Sequence, residues 1–358
     1  LGLFSSVSPT GDGPFRYRWL SSNDGTTFTP IGGALSETYT PGILTADTWY
    51  RREVTSTLNA KACVENTNDI KITVNNMTPG SISADQTICD GAVPAAFTSV
   101  AATSDGILSY QWYESLNGIT FTPIALATSA TYAAPALTQD TWFRRDATSA
   151  IGLQTCTEES NIVRVTVNNF LPGSIGSDQT ICEGTAPVAF TSVVASGDGT
   201  KAYQWQSSPD GTPASWVDIP LATSATYTSP ALVADTWFRR KVTSTVNAVP
   251  CVQYTNEVVV TVNNFDPGSI AAAQTICEGD TPAAFTSVAA SGDGAITYQW
   301  QLSTDGTSFI SIPGETNATY TSGPLTVDTW FKRQATSTLN GMQCVEYTAS
   351  VKITVNNF

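Results

Sequence analysis

The sequence contains no histidine, and only 13% of its 358 residues are charged. Histidine is the commonest general base and a frequent ligand of transition metals, so its absence argues against chemistry that depends on an imidazole. A charged fraction well below the usual quarter or so requires Ser, Thr, Asn and Gln to form most of the polar surface. No apolar run approaches the roughly 18 residues of a membrane-spanning helix, and none is predicted.

Positive charge is also scarce. Sixteen basic residues face 30 acidic ones, which gives a net charge of −14. This sign repels phosphate backbones and anionic lipids, so neither a nucleic acid nor a membrane surface is an expected partner. Nucleophile elbows, P-loops and dinucleotide-binding motifs are all missing from the sequence. We therefore predict no catalytic residues, no cofactor and no bound metal.

The chain does contain one pattern written four times. A Tyr-x-Trp triplet recurs at intervals of 93, 93 and 95 residues, and it ends at Trp19, Trp112, Trp205 and Trp300. Each copy continues to a second tryptophan and closes on an Asn-Asn pair. A period near 93 is too long for a solenoid repeat and is the size of one small domain. The sequence thus predicts four domains, called repeats 1 to 4 below: residues 1–76, 77–169, 170–264 and 265–358.

Repeat 1 is shorter than the others at its beginning. Phe4 aligns with a phenylalanine in each later copy, at Phe97, Phe190 and Phe285. The opening residues of the pattern are therefore missing from repeat 1, and repeat 4 stops in mid-pattern. We expect the chain to be a slice of a longer array.

Each repeat has the pattern of a β-sandwich. Repeat 2 divides into about seven short strands with a turn every 8 to 12 residues, and no window shows a helical period. Tyr110 and Trp112 alternate on one face of a strand, as in the immunoglobulin strand that buries a tryptophan. We predict an all-β protein, a tandem array of immunoglobulin-like β-sandwich domains placed end to end. The predicted core consists of Trp19, Trp112, Trp205, Trp300, Phe97, Phe190 and Phe285.

The seven cysteines allow two disulfide patterns. Pairing within repeats gives Cys89–Cys156, Cys182–Cys251 and Cys277–Cys344, and truncation leaves Cys63 unpaired. Pairing between repeats gives Cys63–Cys89, Cys156–Cys182 and Cys251–Cys277. The two loop lengths differ by less than about 1 kcal/mol in closure entropy, which does not decide between them. We favour pairing within repeats, because each domain then folds and oxidises alone. Either pattern implies an oxidising compartment.

Two recurring features and one unique residue have structural explanations that compete with functional ones. Asp-Gly turns such as Asp305-Gly306 resemble calcium loops, but one carboxylate per turn is fewer than calcium needs. Paired bases such as Arg144-Arg145 lie on one strand, so they point to opposite faces, and we expect the second base to contact an aromatic ring or a carboxylate. Trp216 has no counterpart in the other copies and is expected to pack over a hairpin or to serve as an exposed contact.

Four short sequence motifs together resemble the repeats of giant SprB-type gliding-motility adhesins of Bacteroidetes. They are Pro-Gly-Ser-Ile, Gln-Thr-Ile-Cys-Glu-Gly, Tyr-Gln-Trp-Gln and Asp-Thr-Trp-Phe-Arg-Arg, at residues 267–270, 179–184, 203–206 and 235–240. The resemblance covers the whole chain. It implies a long filament at the extracellular cell surface, exported by type IX secretion, whose other regions meet the gliding or secretion machinery.

Two functions remain open. The first is the structural stalk of a cell-surface adhesin filament, in which the partners of each repeat are the neighbouring repeats of the same chain. The second is an array of carbohydrate- or polymer-binding modules. Buried aromatic residues favour the stalk, whereas aromatic residues that face a groove in every copy favour the binding modules.

Overall fold

The computed structural model describes residues 2–357, and within them every regular element is a β-strand. The predicted all-β immunoglobulin-like class is confirmed. No helix long and apolar enough to cross a membrane occurs in these residues. The chain divides into two compact units, Leu1–Val167 and Asn168–Phe358, and each is described by itself.

The strands follow the same order in every repeat. Repeat 1 has β1 Phe15–Ser22, β2 Thr29–Pro30, β3 Thr48–Leu58, β4 Lys61–Asn66 and β5 Ile70–Ile72. Repeat 2 has β6 Met77–Thr78, β7 Ser81–Ile82, β8 Gln86–Cys89, β9 Ser99–Val100, β10 Thr103–Ser104, β11 Ile107–Ser115, β12 Thr122–Pro123, β13 Thr141–Ile151, β14 Gln154–Glu159 and β15 Val163–Asn168.

Repeats 3 and 4 contain the same ten strands as repeat 2. Repeat 3 has β16 Phe170–Leu171, β17 Ser174–Ile175, β18 Gln179–Cys182, β19 Ser192–Val193, β20 Ser196–Gly197, β21 Thr200–Ser208, β22 Val217–Asp218, β23 Thr236–Val246, β24 Val249–Tyr254 and β25 Val258–Asn263. Repeat 4 has β26 Phe265–Asp266, β27 Ser269–Ala271, β28 Gln274–Cys277, β29 Thr286–Val288, β30 Ser291–Gly292, β31 Ala295–Ser303, β32 Ile310–Ser311, β33 Thr329–Leu339, β34 Met342–Tyr347 and β35 Val351–Asn356.

One large sheet organises each repeat. In repeat 2 its order is β12-β11-β13-β15-β8, and β14 also pairs with β13. The central strand β13 is long enough to carry two partners on the same side, with β15 beside its first residues and β14 beside its last. In repeats 3 and 4 the strand that carries the first cysteine runs parallel to the last strand. The short strands form two-stranded pieces that lie outside the large sheet.

The core lies between the large sheet and this layer of short pieces. In repeat 2, Trp112 and Phe143 from the sheet pack against Phe97 and Tyr132 from the second layer, with ring centroids 5.0 to 6.1 Å apart. The Trp112 indole is fully buried, and its Nε1 donates a hydrogen bond to the Ser129 carbonyl at 2.9 Å. Burial of large rings with their polar atoms satisfied is the main stabilising contribution to such a small domain.

The other predicted core residues occupy equivalent places. Trp19, Trp205 and Trp300 are at most 2% exposed, and Phe190 and Phe285 at most 3%. Repeats 3 and 4 contain the same aromatic cluster as repeat 2.

Two details of the strand prediction are wrong. The residues from 130 to 137 between two turns predict one of the seven strands of repeat 2, but that segment makes only a single bridge, from Tyr132 to Phe97. Pro135 lies inside it and has no N–H to donate to a ladder. Conversely, the sequence does not predict β14, because its six residues are all exposed and show no alternation of apolar and polar side chains. The missed strand matters because it carries Cys156.

Candidate functional sites: the joints between repeats and the outer face

The first asparagine of the Asn-Asn pair joins one repeat to the next. In unit 1, the Asn75 side chain donates from Nδ2 to the Ser149 carbonyl at 2.9 Å and accepts from Ser149 Oγ at 2.6 Å. The second asparagine continues the contact, because the Asn76 N–H donates to Asp105 Oδ2 at 3.1 Å. A repeat therefore ends by hydrogen-bonding the body of the repeat that follows it.

Unit 2 contains the same contact twice. Asn168 Nδ2 donates to the Ser244 carbonyl at 2.9 Å, and Asn263 Nδ2 donates to the Ser337 carbonyl at 3.0 Å. Both serine hydroxyls return a hydrogen bond to the asparagine Oδ1. All four residues are at most 1% exposed, so each bond is shielded from water and costly to leave unmade. We call this reciprocal pair the asparagine clamp.

A buried arginine holds the linker that follows the clamp. In repeat 4, Arg333 is fully buried and donates to the carbonyls of Pro267, Val288 and Ala318 at 2.7 to 2.9 Å. Pro267 belongs to the Pro-Gly turn that leads into the repeat. The next residue, Gly268, has φ +72°, and a side chain there would collide with the Val288 carbonyl. The arginine and the glycine together hold the Pro-Gly turn against the body of the repeat that it begins.

The same arginine recurs in every repeat and lies over a tyrosine ring. The guanidinium carbons of Arg145, Arg240 and Arg333 are 4.5 to 4.8 Å from their ring centroids. The expected contact with an aromatic ring is confirmed, whereas the bonded partners are mainly backbone carbonyls and not carboxylates. Burial lowers the pKa of each of these three arginines, and the neighbouring tyrosine acts in the opposite direction.

The disulfide pairing within repeats is wrong. Cys182 of repeat 3 is bonded to Cys344 of repeat 4, with Cα atoms 5.6 Å apart. Cys89 and Cys251 are also disulfide-bonded. Cys63, Cys156 and Cys277 are free and exposed, which also overturns the 26-residue alternative, since each of its pairs needs one of these three. Disulfides persist in oxidising compartments, and they point to an extracellular protein.

Pairing within a repeat is impossible because the two cysteines of one repeat lie at opposite ends of its large sheet. Cys182 pairs with Asn263 in the parallel ladder. Asn263 extends past the end of β23 that begins at Thr236, so Cys182 lies at that end of the sheet. Cys251 lies opposite Ser244, eight residues further along the same strand. At about 3.3 Å per residue the separation exceeds roughly 26 Å, whereas a disulfide requires Cα atoms within about 7 Å.

The Asp-Gly turns are closed by their own carboxylates. Asp305 Oδ1 accepts hydrogen bonds from the N–H groups of Thr307 and Ser308, both at 2.7 Å, and from the Ser303 hydroxyl at 2.8 Å. These backbone donors, that of Ser308 first, lower the pKa of Asp305 well below its ordinary value. No cluster of three metal-ligating side chains occurs among residues 2–357. The turns therefore have a local structural explanation.

The first base of each pair, Arg or Lys, points to the face of the sheet opposite the buried arginine, as the alternation along a strand predicts. There it covers an aromatic ring of the neighbouring hairpin. Arg144 lies over Phe121 at 4.9 Å, Arg239 over Trp216 at 4.2 Å and Lys332 over Phe309 at 4.2 Å. Trp216 occupies the place of these phenylalanines, so the expectation that it has no counterpart is wrong and it packs over its hairpin.

The clamp and the disulfide each bond residues of two different repeats, and the linker arginine bonds the Pro-Gly turn that begins its own repeat. The sequence identified the Asn-Asn pair as a marker and missed its role. The constant position of a small hydroxyl residue, such as Ser337, was the signal that was available.

Comparisons with known proteins give distant structural likenesses and one family. Three domains of the outer capsid protein Hoc of bacteriophage RB49 are 14% identical, with 78% of this chain and 99% of that chain covered at a TM-score of 0.36. Mouse cadherin-23 EC22-24 is 14% identical over 79% and 99% at 0.32, and titin I67-I69 is 10% identical over 79% and 98% at 0.41.

No curated protein matches the chain. A model described as a domain of unknown function, DUF8696, matches residues 3–76, 78–169, 171–264 and 266–357. The chain belongs to the DUF8696 family and contains four tandem copies of its domain.

Proposed function

We propose that the chain is a structural stalk segment of an extracellular adhesin, in which each repeat serves to position and hold the next. The observation that carries the proposal is the asparagine clamp, which recurs at successive boundaries and has both partners buried at the two boundaries in unit 2. A joint of this kind fixes direction, and it contains no group suited to chemistry.

The linker arginine supports the same function. A flexible string of domains needs only a solvated linker, yet here the Pro-Gly turn is bonded to the body of its repeat through a buried guanidinium. Buried hydrogen bonds to a charged donor stabilise by about 1.5 to 3 kcal/mol each. Such bonds restrict bending between neighbours, which is what a stalk requires.

The alternative, an array of carbohydrate-binding modules, has less support. Sugar-binding sites use open aromatic faces. The recurring core rings are buried, and on the outer face Arg144, Arg239 and Lys332 each cover the hairpin ring of their repeat, which is Phe121, Trp216 or Phe309. A covered ring face is not free to stack on a sugar.

The finer assignment, to a long cell-surface filament of gliding Bacteroidetes exported by type IX secretion, rests on the sequence resemblance alone. We include it in the proposal as the setting in which such a stalk would act. The division into four domains at residues 76, 169 and 264 is likewise part of the proposal.

Small-angle scattering of the purified chain tests the stalk. A domain with eight-residue strands and its loops spans roughly 35 to 45 Å, so we expect a maximum dimension on the order of 130 Å or more. A compact particle, or measurable binding to an array of glycans that is lost in Trp216→Ala, would overturn the proposal in favour of binding modules.

A further inference from the structure

The connectivity of the disulfide in unit 2 has a mechanical consequence. Cys182 and Cys344 are 162 residues apart in sequence, yet their sulfurs are bonded. Cys182 is the last residue of β18, near the start of repeat 3, and Cys344 lies in β34, near the end of repeat 4. The closed loop therefore contains nearly all of both repeats.

We propose that this disulfide is an extension limiter, which carries tension across repeats 3 and 4 while residues 183–343 stay outside the load path. The inference rests on the proposed stalk function. Tension that enters before Cys182 can pass through the sulfur pair to Cys344 and leave through β35. The intervening cores then cannot lengthen the chain, even if they open.

The surroundings of the bond fit this role. Cys344 is only 3% exposed, whereas its equivalent Cys156 is an exposed free thiol. Next to the bond, Asn340 Nδ2 donates to Thr180 Oγ1 at 3.3 Å, so the hairpin of repeat 4 contacts β18 of repeat 3. The asparagine clamp between Asn263 and Ser337 closes the same joint. A disulfide and two separate hydrogen-bonded contacts thus hold one boundary.

The hairpin does not need the disulfide in order to form. In repeat 2, β14 pairs with β13 in the same register as β34 with β33, although Cys156 is free. A variant that lacks the bond is therefore expected to fold. This makes the load path, and not the folding of the hairpin, the property that the bond controls.

The test stretches single molecules of the full chain between handles at its ends. One version keeps only Cys182 and Cys344, and serine replaces the other five cysteines, namely Cys63, Cys89, Cys156, Cys251 and Cys277. A second version adds Cys182→Ala. At about 3.3 to 3.6 Å per extended residue, the fully stretched length of the first should be shorter by roughly 550 Å. As a matched control, a chain that keeps only Cys156 and Cys277 should stretch as far as the alanine version.

Peptide mapping without reduction first establishes whether Cys182 is linked to Cys344. A missing link, or equal stretched lengths when the link is present, would overturn the extension limiter. The stalk proposal has a separate test, because an elongated particle in scattering would leave it standing even if the stretched lengths were equal. A compact particle would reject the stalk whatever the stretched lengths show.

Discussion

Replacing the linker arginine of repeat 4 is expected to be strongly destabilising. Arg333 donates to the carbonyls of Pro267, Val288 and Ala318 and to the Ser287 hydroxyl. Arg333→Met would fill much of the same volume and remove the charged donor from all three partly buried carbonyls, of which only that of Ala318 keeps another donor, the Ser287 hydroxyl. Each buried unsatisfied group costs about 1 to 3 kcal/mol, and partial entry of water offsets some of that cost. We expect repeat 4 to lose about 3 to 5 kcal/mol of its unfolding free energy, against about 5 to 15 in total for a domain.

The neighbouring base provides a matched control. Lys332 lies on the outer face, over the rings of Phe309 and Tyr347 at 4.2 and 4.3 Å. Lys332→Met removes the same unit of charge from the same strand and leaves the three carbonyls bonded to Arg333. Because a partly exposed cation over a ring contributes about 0.5 to 1 kcal/mol, we expect a small change.

Hydrogen exchange measured peptide by peptide in the full chain separates the repeats, which a single melting curve would merge. In Arg333→Met, protection should fall in β33 and remain in β23. A melting transition assigned to repeat 4 should drop by at least roughly 12 °C, since 1 kcal/mol corresponds to about 4 to 8 °C in a domain of this size. A loss below about 1 kcal/mol, or equal losses in the two variants, would refute the reasoning.

Three further predictions follow from buried groups. Trp205→Ala should cost repeat 3 about 3 to 5 kcal/mol in chemical denaturation, and a loss below about 2 kcal/mol would contradict its central place in the core. Asn263→Ala should leave Ser337 unpaired and lower protection at the joint by about 1 to 2 kcal/mol in hydrogen exchange, with repeat 3 unchanged. Burial raises the pKa of Asp146, against the effect of Arg144. Stability of repeat 2 should therefore fall as pH rises from about 4 through that raised pKa, and Asp146→Asn should remove the fall in pH-dependent melts.

The features that sequence predicted well are those with a period. Trp112 alternates with Tyr110 along a strand, and alternation is what distinguishes a half-buried strand from other structures. The same alternation placed Arg144 and Arg145 on opposite faces. Repetition strengthened each inference, because an accidental pattern would not recur at 93-residue intervals.

The disulfides could not be predicted, for a physical reason. Cys156 lies on β14, whose side chains are all exposed, and an exposed strand leaves no hydrophobic pattern. Without that strand, nothing showed that the second cysteine of a repeat lies at the far end of a long hairpin. Loop-closure entropy then gave no guidance, since it treats the chain as featureless.

The partners of the linker arginine were predicted only in part. The contact with an aromatic ring can be inferred from the sequence, because a tyrosine recurs at one position of the adjacent strand. Backbone carbonyls carry no signature in a sequence, and Pro267 becomes a partner only through the turn at Gly268. Buried charges satisfied by carbonyls are thus outside the reach of residue patterns.

The joints imply that the repeats are not independent domains. The clamp serine is fully buried where an asparagine of the preceding repeat reaches it, as at Ser149 and Ser337, and only half-buried at Ser56, which no described asparagine contacts. Part of each repeat's buried polar network is therefore supplied by its neighbour. The unfolding free energy of the array is then a sum of the intrinsic stability of each repeat and of the interactions between neighbours, as in solenoid proteins, although each repeat has its own core. In such an array a load that opens one repeat also weakens the next, and a covalent bond from Cys182 to Cys344 limits how far that opening can lengthen the chain.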